Sequence, residues 1–332
     1  MRTWALVGML SVALAAQVSG RRLEPLILPS RGLSGPLRAE IHLPAGYVAH
    51  PGRRYPVCLL LHGGGGSASE LRELGLADLA TRHGVIIVAP DAGEALFEDA
   101  EAGAGPRLAS ALVETLLPAV DRRYRTLGSR QGRLLVGLSL GGYSALHLGI
   151  THPEAFGFIA SLSGVVGIAG WTSQDEGFLP ARLRTQLHRA LGEPGSPGRQ
   201  ARDLATLLDS LPPAAIRGLP FLRMDCGRED WFFEANRCLS RRMTARGIPH
   251  AFHAPPGRHD EAFWRRQLEE VLRDWVNAAP SGPTCEPVEG RRGQLRNESS
   301  ALGREKPKTE WWRASPGCIR LGSPSTRSAS SA

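Results

Sequence analysis

Lysine is almost absent from this chain of 332 residues: Lys306 and Lys308 are the only two, and every other strong base is arginine. The formal charge of +8 is also unevenly placed. Residues 280–332 hold nine Arg/Lys and five Asp/Glu, a net of +4, so half of the excess lies in one terminal stretch. The remainder is scattered, without a basic run or bases interleaved with aromatics, which argues against nucleic acid as a partner. Cysteine is scarce as well. Five residues (Cys58, Cys226, Cys238, Cys285 and Cys318) are too few, and odd in number, for a disulfide scaffold. None of their spacings matches zinc ligation with histidines nearby, so no metal is expected. Cys58 sits in an apolar strand and reads as a small core residue. Cys226 and Cys238 are left open to pairing in an oxidising compartment, because their separation in space is not encoded in spacing.

A hydrophobic run of membrane-spanning length is missing too. Trp4 to Ala16 is an apolar run of about 13 residues, short of a bilayer span and suited to the core of a signal peptide. Arg2 precedes it, and Val18, Ser19 and Gly20 follow as a cleavage-site pattern. Residues 1–20 are therefore expected to be a secretory signal, with an uncleaved anchor as the alternative. The mature protein is then secreted or periplasmic, with no stable membrane insertion. After Ala279 the chain turns to Ser, Gly, Pro and Arg without periodicity, and 280–332 is expected to be a disordered tail. Asn297-Glu298-Ser299 within it matches a glycosylation acceptor.

Between these ends, hydrophobic residues are plentiful, at 42% of the whole. Apolar strand segments at 37–44, 55–62, 85–90 and 133–137 alternate with amphipathic helical ones at 67–84, 109–124 and after Ser139. Further strands are expected in FGFIASLSG, FLRMDCG and HAFHAPPG, and a last helix over 261–279. This alternation predicts an α/β fold with a mostly parallel central sheet and helices on both faces, over residues 21–279. Residues 167–215 break the rhythm and are expected to form a cap insertion over the carboxyl ends of the strands. An ordinary connecting helix and loop is the alternative.

The chemistry begins at RLLVGLSLGGYSALHLG, residues 133–149. Ser139 lies between Gly137 and Gly141 where an apolar strand meets an apolar helix, the context of a nucleophile elbow. The following amide, Leu140, opens the helix and has no acceptor within it, so it suits a developing oxyanion. A serine hydroxyl needs a base. His259, in a Gly/Pro loop before the last helix, is favoured over His250 and His253, which flank a strand, and over His147 on the elbow helix. The imidazole needs an acceptor that sets its tautomer. Asp230, beyond the turn at Gly227, is favoured over Glu229 and over Asp225, which is still at a strand end and placed to satisfy loop amides. The second oxyanion donor is expected at Gly63 or Gly64 in LLLHGGGGS; that loop lacks the Gly-Lys-Ser/Thr ending of a phosphate-binding loop.

YPVCLLLHGGGG, GLSLGGYSALHLGITHPEAFGFIASLSG and DCGREDWFFEANRCLSRRMTARGIPHAFHAPPGRHDEAFW together resemble the putative-esterase family of α/β-hydrolases, over about residues 36–278. Tributyrin esterases, S-formylglutathione hydrolases, feruloyl esterases and mycolyltransferases belong to that family, and GLSLGGYSAL is most similar to the first of these. The resemblance implies Ser139 as nucleophile, Asp230 and His259 as its partners, and no cofactor. The expected activity is hydrolysis of short-chain carboxylic esters, on a small-molecule or glycan ester substrate, through an acyl-enzyme. Trp171 and Phe178 in the insertion are candidates to line the pocket, with core packing as the alternative. A feruloyl or acetyl-polysaccharide esterase, an acyltransferase of the mycolyltransferase type, and a non-catalytic binding module are the other readings.

Overall fold

The computed structural model describes residues 22–278 apart from 31, 94 and 101–104. The expected signal peptide, the tail with its glycosylation motif, Cys285 and Cys318 lie outside the described residues. Eight strands form one sheet: β1 (Arg22–Leu28), β2 (Leu37–Leu43), β3 (Val57–Leu61), β4 (Ile86–Asp91), β5 (Arg133–Leu138), β6 (Phe158–Leu162), β7 (Phe221–Asp225) and β8 (His250–His253). Their order across the sheet is β1-β2-β4-β3-β5-β6-β7-β8. β2 pairs antiparallel with both β1 and β4, and every pairing from β4 to β8 is parallel.

Parallel strands buried on both faces need apolar side chains at every position, and the VCLLL of β3 is buried throughout. Alternate residues divide between two layers. Leu59, Leu61, Ile86, Val88, Leu135 and Ile159 pack with α2 (108–123), α3 (Leu140–Thr151) and, through Leu239 and Met243, α8 (Phe233–Ala245). Cys58, Leu60, Ile87, Ala89, Leu134 and Val136 face α1 (Leu76–His83) and α9 (Glu261–Ala278) on the other side. Each leucine so enclosed contributes about 2 kcal/mol of burial.

Three local features go beyond the sequence reading. The segment 67–84 is not one helix: a short 3-10 turn at Glu70–Leu74 ends at Gly75, whose φ of 77° breaks the ladder before α1. Pro118 does not end α2, because it falls in the first turn of Leu117–Arg123, just after a π-helical turn at Leu112–Leu116, where a missing N–H is tolerated. Strand β1 was not anticipated; it pairs with β2 along its whole length at the sheet edge.

The connection from β6 to β7 carries short helices, α4 (Ala181–Leu191), α5 (Pro197–Ala201), α6 (Leu204–Ser210) and α7 (Pro213–Gly218). Ser196 and Asp203 cap α5 and α6 by accepting the Arg199 and Thr206 amides. A buried ion pair holds this connection together. Arg199 donates to Glu176 at 2.5 Å, to the Ile168 carbonyl at 2.8 Å and to the Gly192 carbonyl at 3.3 Å. His188 meets the other Glu176 oxygen at 2.6 Å. This connection approaches the loop after β3, since a Cβ on Gly64 would lie 3.1 Å from Leu183 Cδ1 of α4.

Candidate active site

Strand β5 ends at Leu138, and Ser139 after it takes a positive-φ conformation, φ 55° and ψ −118°, that side chains rarely adopt. The surroundings impose it. Ser139 N–H donates to Leu162 O at 2.9 Å, while its carbonyl accepts from Gly142 at 2.9 Å and from Val165 at 3.2 Å. The turn also brings backbones closer than a side chain permits. A Cβ on Gly137 would stand 1.9 Å from Gly141 O, and one on Gly141 would stand 2.4 Å from His62 O. The glycine spacing is thus a steric requirement of the turn, and the turn presents the serine hydroxyl.

That hydroxyl lies 2.9 Å from His259 Nε2, and His259 Nδ1 lies 3.0 Å from Asp230 Oδ2. The side chain of Asp230 is fully buried and that of His259 is 13% exposed. The other Asp230 oxygen accepts the Phe232 amide at 2.8 Å, so the carboxylate is held at both ends. With Nδ1–H donating to Asp230, Nε2 is the lone-pair nitrogen and accepts from the serine O–H. The three side chains therefore form a continuous relay able to move a proton off Ser139.

Chain order places Asp230 after β7 and His259 after β8, in two loops that clasp each other. Arg228 N–H donates to Pro255 O and Glu229 N–H to Gly257 O, both at 3.1 Å, and the Gly257 amide returns to Glu229 Oε2 at 2.5 Å. Gly227 allows this approach, since a Cβ there would fall 2.1 Å from Gly257 O. Aromatic rings surround the imidazole: Phe232 and Trp264 meet it edge-on, each at 5.1 Å, and Trp231 lies nearly parallel to it at 6.1 Å.

The predicted oxyanion residues converge on the same point. Leu140 begins α3, so its amide has no helical acceptor. A Cβ on Gly63 would lie 3.3 Å from Ser139 Cβ, and one on Gly64 would strike Leu140 Cδ1 at 2.3 Å. His62, which opens the glycine run and whose part the sequence does not reveal, braces this loop. Its Nε2 accepts the Ala92 amide at 3.2 Å, which leaves the proton on Nδ1 to donate to Gly63 O at 2.8 Å. Burial lowers its pKa, against the pull of the Gly63 carbonyl and of Asp91 and Glu70, in keeping with a neutral ring. The peptide joining Gly63 to Gly64 is thereby fixed at its carbonyl end. The signal for this lay in two distant segments, 62 and 92, and only folding joins them.

Trp171 and Phe178, the predicted pocket residues, connect to the imidazole through the ring of Phe232. Their rings are 5.7 Å apart, and Trp171 stacks on Phe232 at 6.1 Å, which in turn touches His259. Trp171 packs partly against the core, whereas Phe178 is 55% exposed. The rejected candidates have other duties. Asp225 does not satisfy loop amides: it binds Arg223 at 2.7–3.1 Å and His253 at 3.0 Å. His250 bonds Ser240 and the Ile248 carbonyl, and His147 pairs with buried Glu98 at 2.8 Å. Cys226 is a buried free thiol, so the pairing with Cys238 that the sequence left open does not occur.

Comparison with known proteins bears on the family and the fold. The profile of the family described as putative esterase matches residues 30–210, which includes the elbow and ends before Asp230 and His259. An esterase of Mycobacterium tuberculosis is 28% identical over 229 residues, covering 63% of this chain and 49% of the relative. The chain thus spans about half the length of that relative. An acetyl esterase of Caldicellulosiruptor saccharolyticus is 24% identical over 226 residues, 66% of this chain and 82% of the relative. Among solved structures, a ferulic acid esterase superposes with a TM-score of 0.65 at 23% identity, over 78% of this chain and 99% of its own. An S-formylglutathione hydrolase from Staphylococcus aureus gives 0.60 at 19% identity, over 77% and 99%. These two likenesses establish the α/β-hydrolase fold. With more than half of its length matched by the family profile, the chain belongs to the putative esterase family.

Proposed function

We propose that this protein is a secreted serine carboxylesterase that cleaves short-chain acyl esters through an acyl-enzyme. One observation carries the reading: an unbroken relay from buried Asp230 through His259 to Ser139, with links of 3.0 and 2.9 Å, at the carboxyl ends of three parallel strands. His259 takes the proton as Ser139 Oγ attacks the ester carbonyl. The tetrahedral oxyanion is held by the Leu140 amide and a glycine amide at 63–64, positioned in advance by the α3 terminus and by His62. The imidazolium, stabilised by Asp230, protonates the leaving alcohol, and the acyl group remains on Ser139. Water, activated by the same imidazole, then releases the acid and restores the hydroxyl. Export is supported by the pattern of residues 1–20.

The test is turnover of p-nitrophenyl acetate and butyrate by the Ser139→Ala variant. Turnover is expected to vanish while the circular dichroism spectrum and melting temperature are kept. A fully active variant overturns the proposal.

A further inference from the structure

Cys238, in the middle of α8, is disulfide-bonded, whereas Cys58 and Cys226 are buried free thiols. The chain has five cysteines, so within one molecule the partner of Cys238 is Cys285 or Cys318. Both come after α9, the last described helix.

The position of α8 separates these two. On one face of the sheet, Leu239 and Met243 enter the core, Asn236 and Ser240 are buried beside them, and Ser240 meets His250 of β8 at 2.8 Å. At 100° per residue, Cys238 stands on the side of the helix turned away from these four. α9 lies on the opposite face, where Trp275 is buried and Asp274 meets Arg223 of β7 at 2.5 Å. A chain leaving α9 at Ala278 must therefore pass from one helix layer to the far side of the other. That is about 25 Å even straight through the sheet, and more around its edge at β8. Cys285 comes seven residues after Ala278, and seven residues span about 25 Å only at full extension. Cys318 comes forty residues after it and reaches with ease.

We propose that Cys238 is joined to Cys318, and that this bond closes residues 238–318 into a covalent ring that straps β8 and α9 to α8. Forming it links the two sulfurs and takes one proton and one electron from each thiol. A disulfide-carrying oxidoreductase of the export compartment accepts both pairs, its own disulfide opening to two thiols. Such a bond needs oxidising surroundings, so the inference rests on the export part of the proposed function and not on the esterase part. What the ring restrains follows from chain order. β8 is the outermost strand, four residues long with none fully buried, and edge and terminal elements are the first to open. Both β8 and α9 lie inside the ring, and the loop between them carries His259; Ser139 and Asp230 lie outside it. The strap keeps the base with its two partners when the edge of the sheet opens.

For the test, the full chain is produced in a bacterium with an oxidising export compartment, recovered from that compartment, alkylated, and digested with trypsin without reduction. Mass spectrometry is expected to find the peptide Cys238–Arg241 joined to Ala314–Arg320, and to find the two apart after reduction. Cys238 alkylated as a free thiol, or joined to the peptide of Cys285 or to a second chain, overturns the pairing. The restraint has its own readout, the half-life of the native circular dichroism signal at a fixed elevated temperature. Cys238→Ser and Cys318→Ser are expected to shorten it severalfold and equally, and the double variant no further, because all three lack the same bond. Cys285→Ser is expected to keep the half-life of the unaltered chain. Half-lives that match the unaltered chain in all variants, or effects that add in the double variant, overturn the strap. A chain retained in the cytoplasm overturns the export reading alone; the same peptide map after oxidation with glutathione disulfide then decides the pairing.

Discussion

Two carboxylate–imidazole pairs stand side by side at the end of this sheet, and they are alike in bond length and opposite in use. Asp225 meets His253 Nδ1 at 3.0 Å, and Asp230 meets His259 Nδ1 at 3.0 Å. Asp225 ends β7 and Asp230 follows it, just as His253 ends β8 and His259 follows it. The difference lies in what else each carboxylate holds. Asp225 accepts three hydrogen bonds from the buried guanidinium of Arg223, whose positive charge already balances it, and its register partner in the sheet is His253 itself. Asp230 faces only neutral donors apart from the imidazole, so its charge is available to stabilise an imidazolium. Position completes the contrast: the side chain of His253 is 46% exposed, whereas that of His259 is 13% exposed and reaches Ser139. A short bond between Asp and His therefore does not make a base; an uncommitted charge and a nucleophile within reach do.

The sharpest way to break this comparison is to neutralise each aspartate in turn. Asp230→Asn is expected to lower kcat by about 10³–10⁴-fold with little change in melting temperature, because the imidazole loses its tautomer and its counter-charge. Asp225→Asn is expected to do the reverse. It leaves Arg223 with less than its balancing charge, destabilising the fold by about 3 kcal/mol, while the folded fraction keeps its turnover. Stopped-flow kinetics and thermal melts on both variants decide the matter. Equal loss of activity in the two would remove the distinction drawn here.

A smaller effect comes from a third pair, Glu98 with His147, of which His147 lies on the helix that starts at the nucleophile. Burial pushes the His147 pKa down, but the charge and hydrogen bond of Glu98 outweigh it and leave the value raised. A raised histidine stabilises the fold below its unfolded pKa of about 6.5, and that contribution is lost as pH rises through the folded value. His147→Gln is therefore expected to reduce the melting temperature more at about pH 6 than at about pH 9. A difference that is flat with pH, or larger at alkaline pH, would contradict a charged pair at this position.

The parts of the site that could be read from sequence are those encoded locally. Gly137, Ser139 and Gly141 are legible within five residues because Gly137 meets the Gly141 backbone inside the turn itself, although Gly141 also abuts the distant His62 carbonyl. Asp230 was separable from Asp225 because Gly227 marks where β7 has ended and a loop begins. What was hidden depends on partners far along the chain. His62 requires Ala92, Arg199 requires Glu176 and Ile168, and β1 requires the register of β2. The role of Asp225 was misjudged for the same reason: strand position suggested free loop amides, but the sheet register brought His253 to it. Gly75 looked like part of a continuous helical face because the leucine spacing survives the break, although the backbone does not.

The central claim is that Ser139 becomes covalently acylated. The most direct measurement is mass spectrometry of protein quenched in acid during turnover of p-nitrophenyl butyrate, followed by peptide mapping. A butyryl group on the peptide containing Ser139, absent from the Ser139→Ala variant, is the predicted result. Steady turnover with no acyl group on that peptide under any quench time, or with the group on another residue, would contradict it.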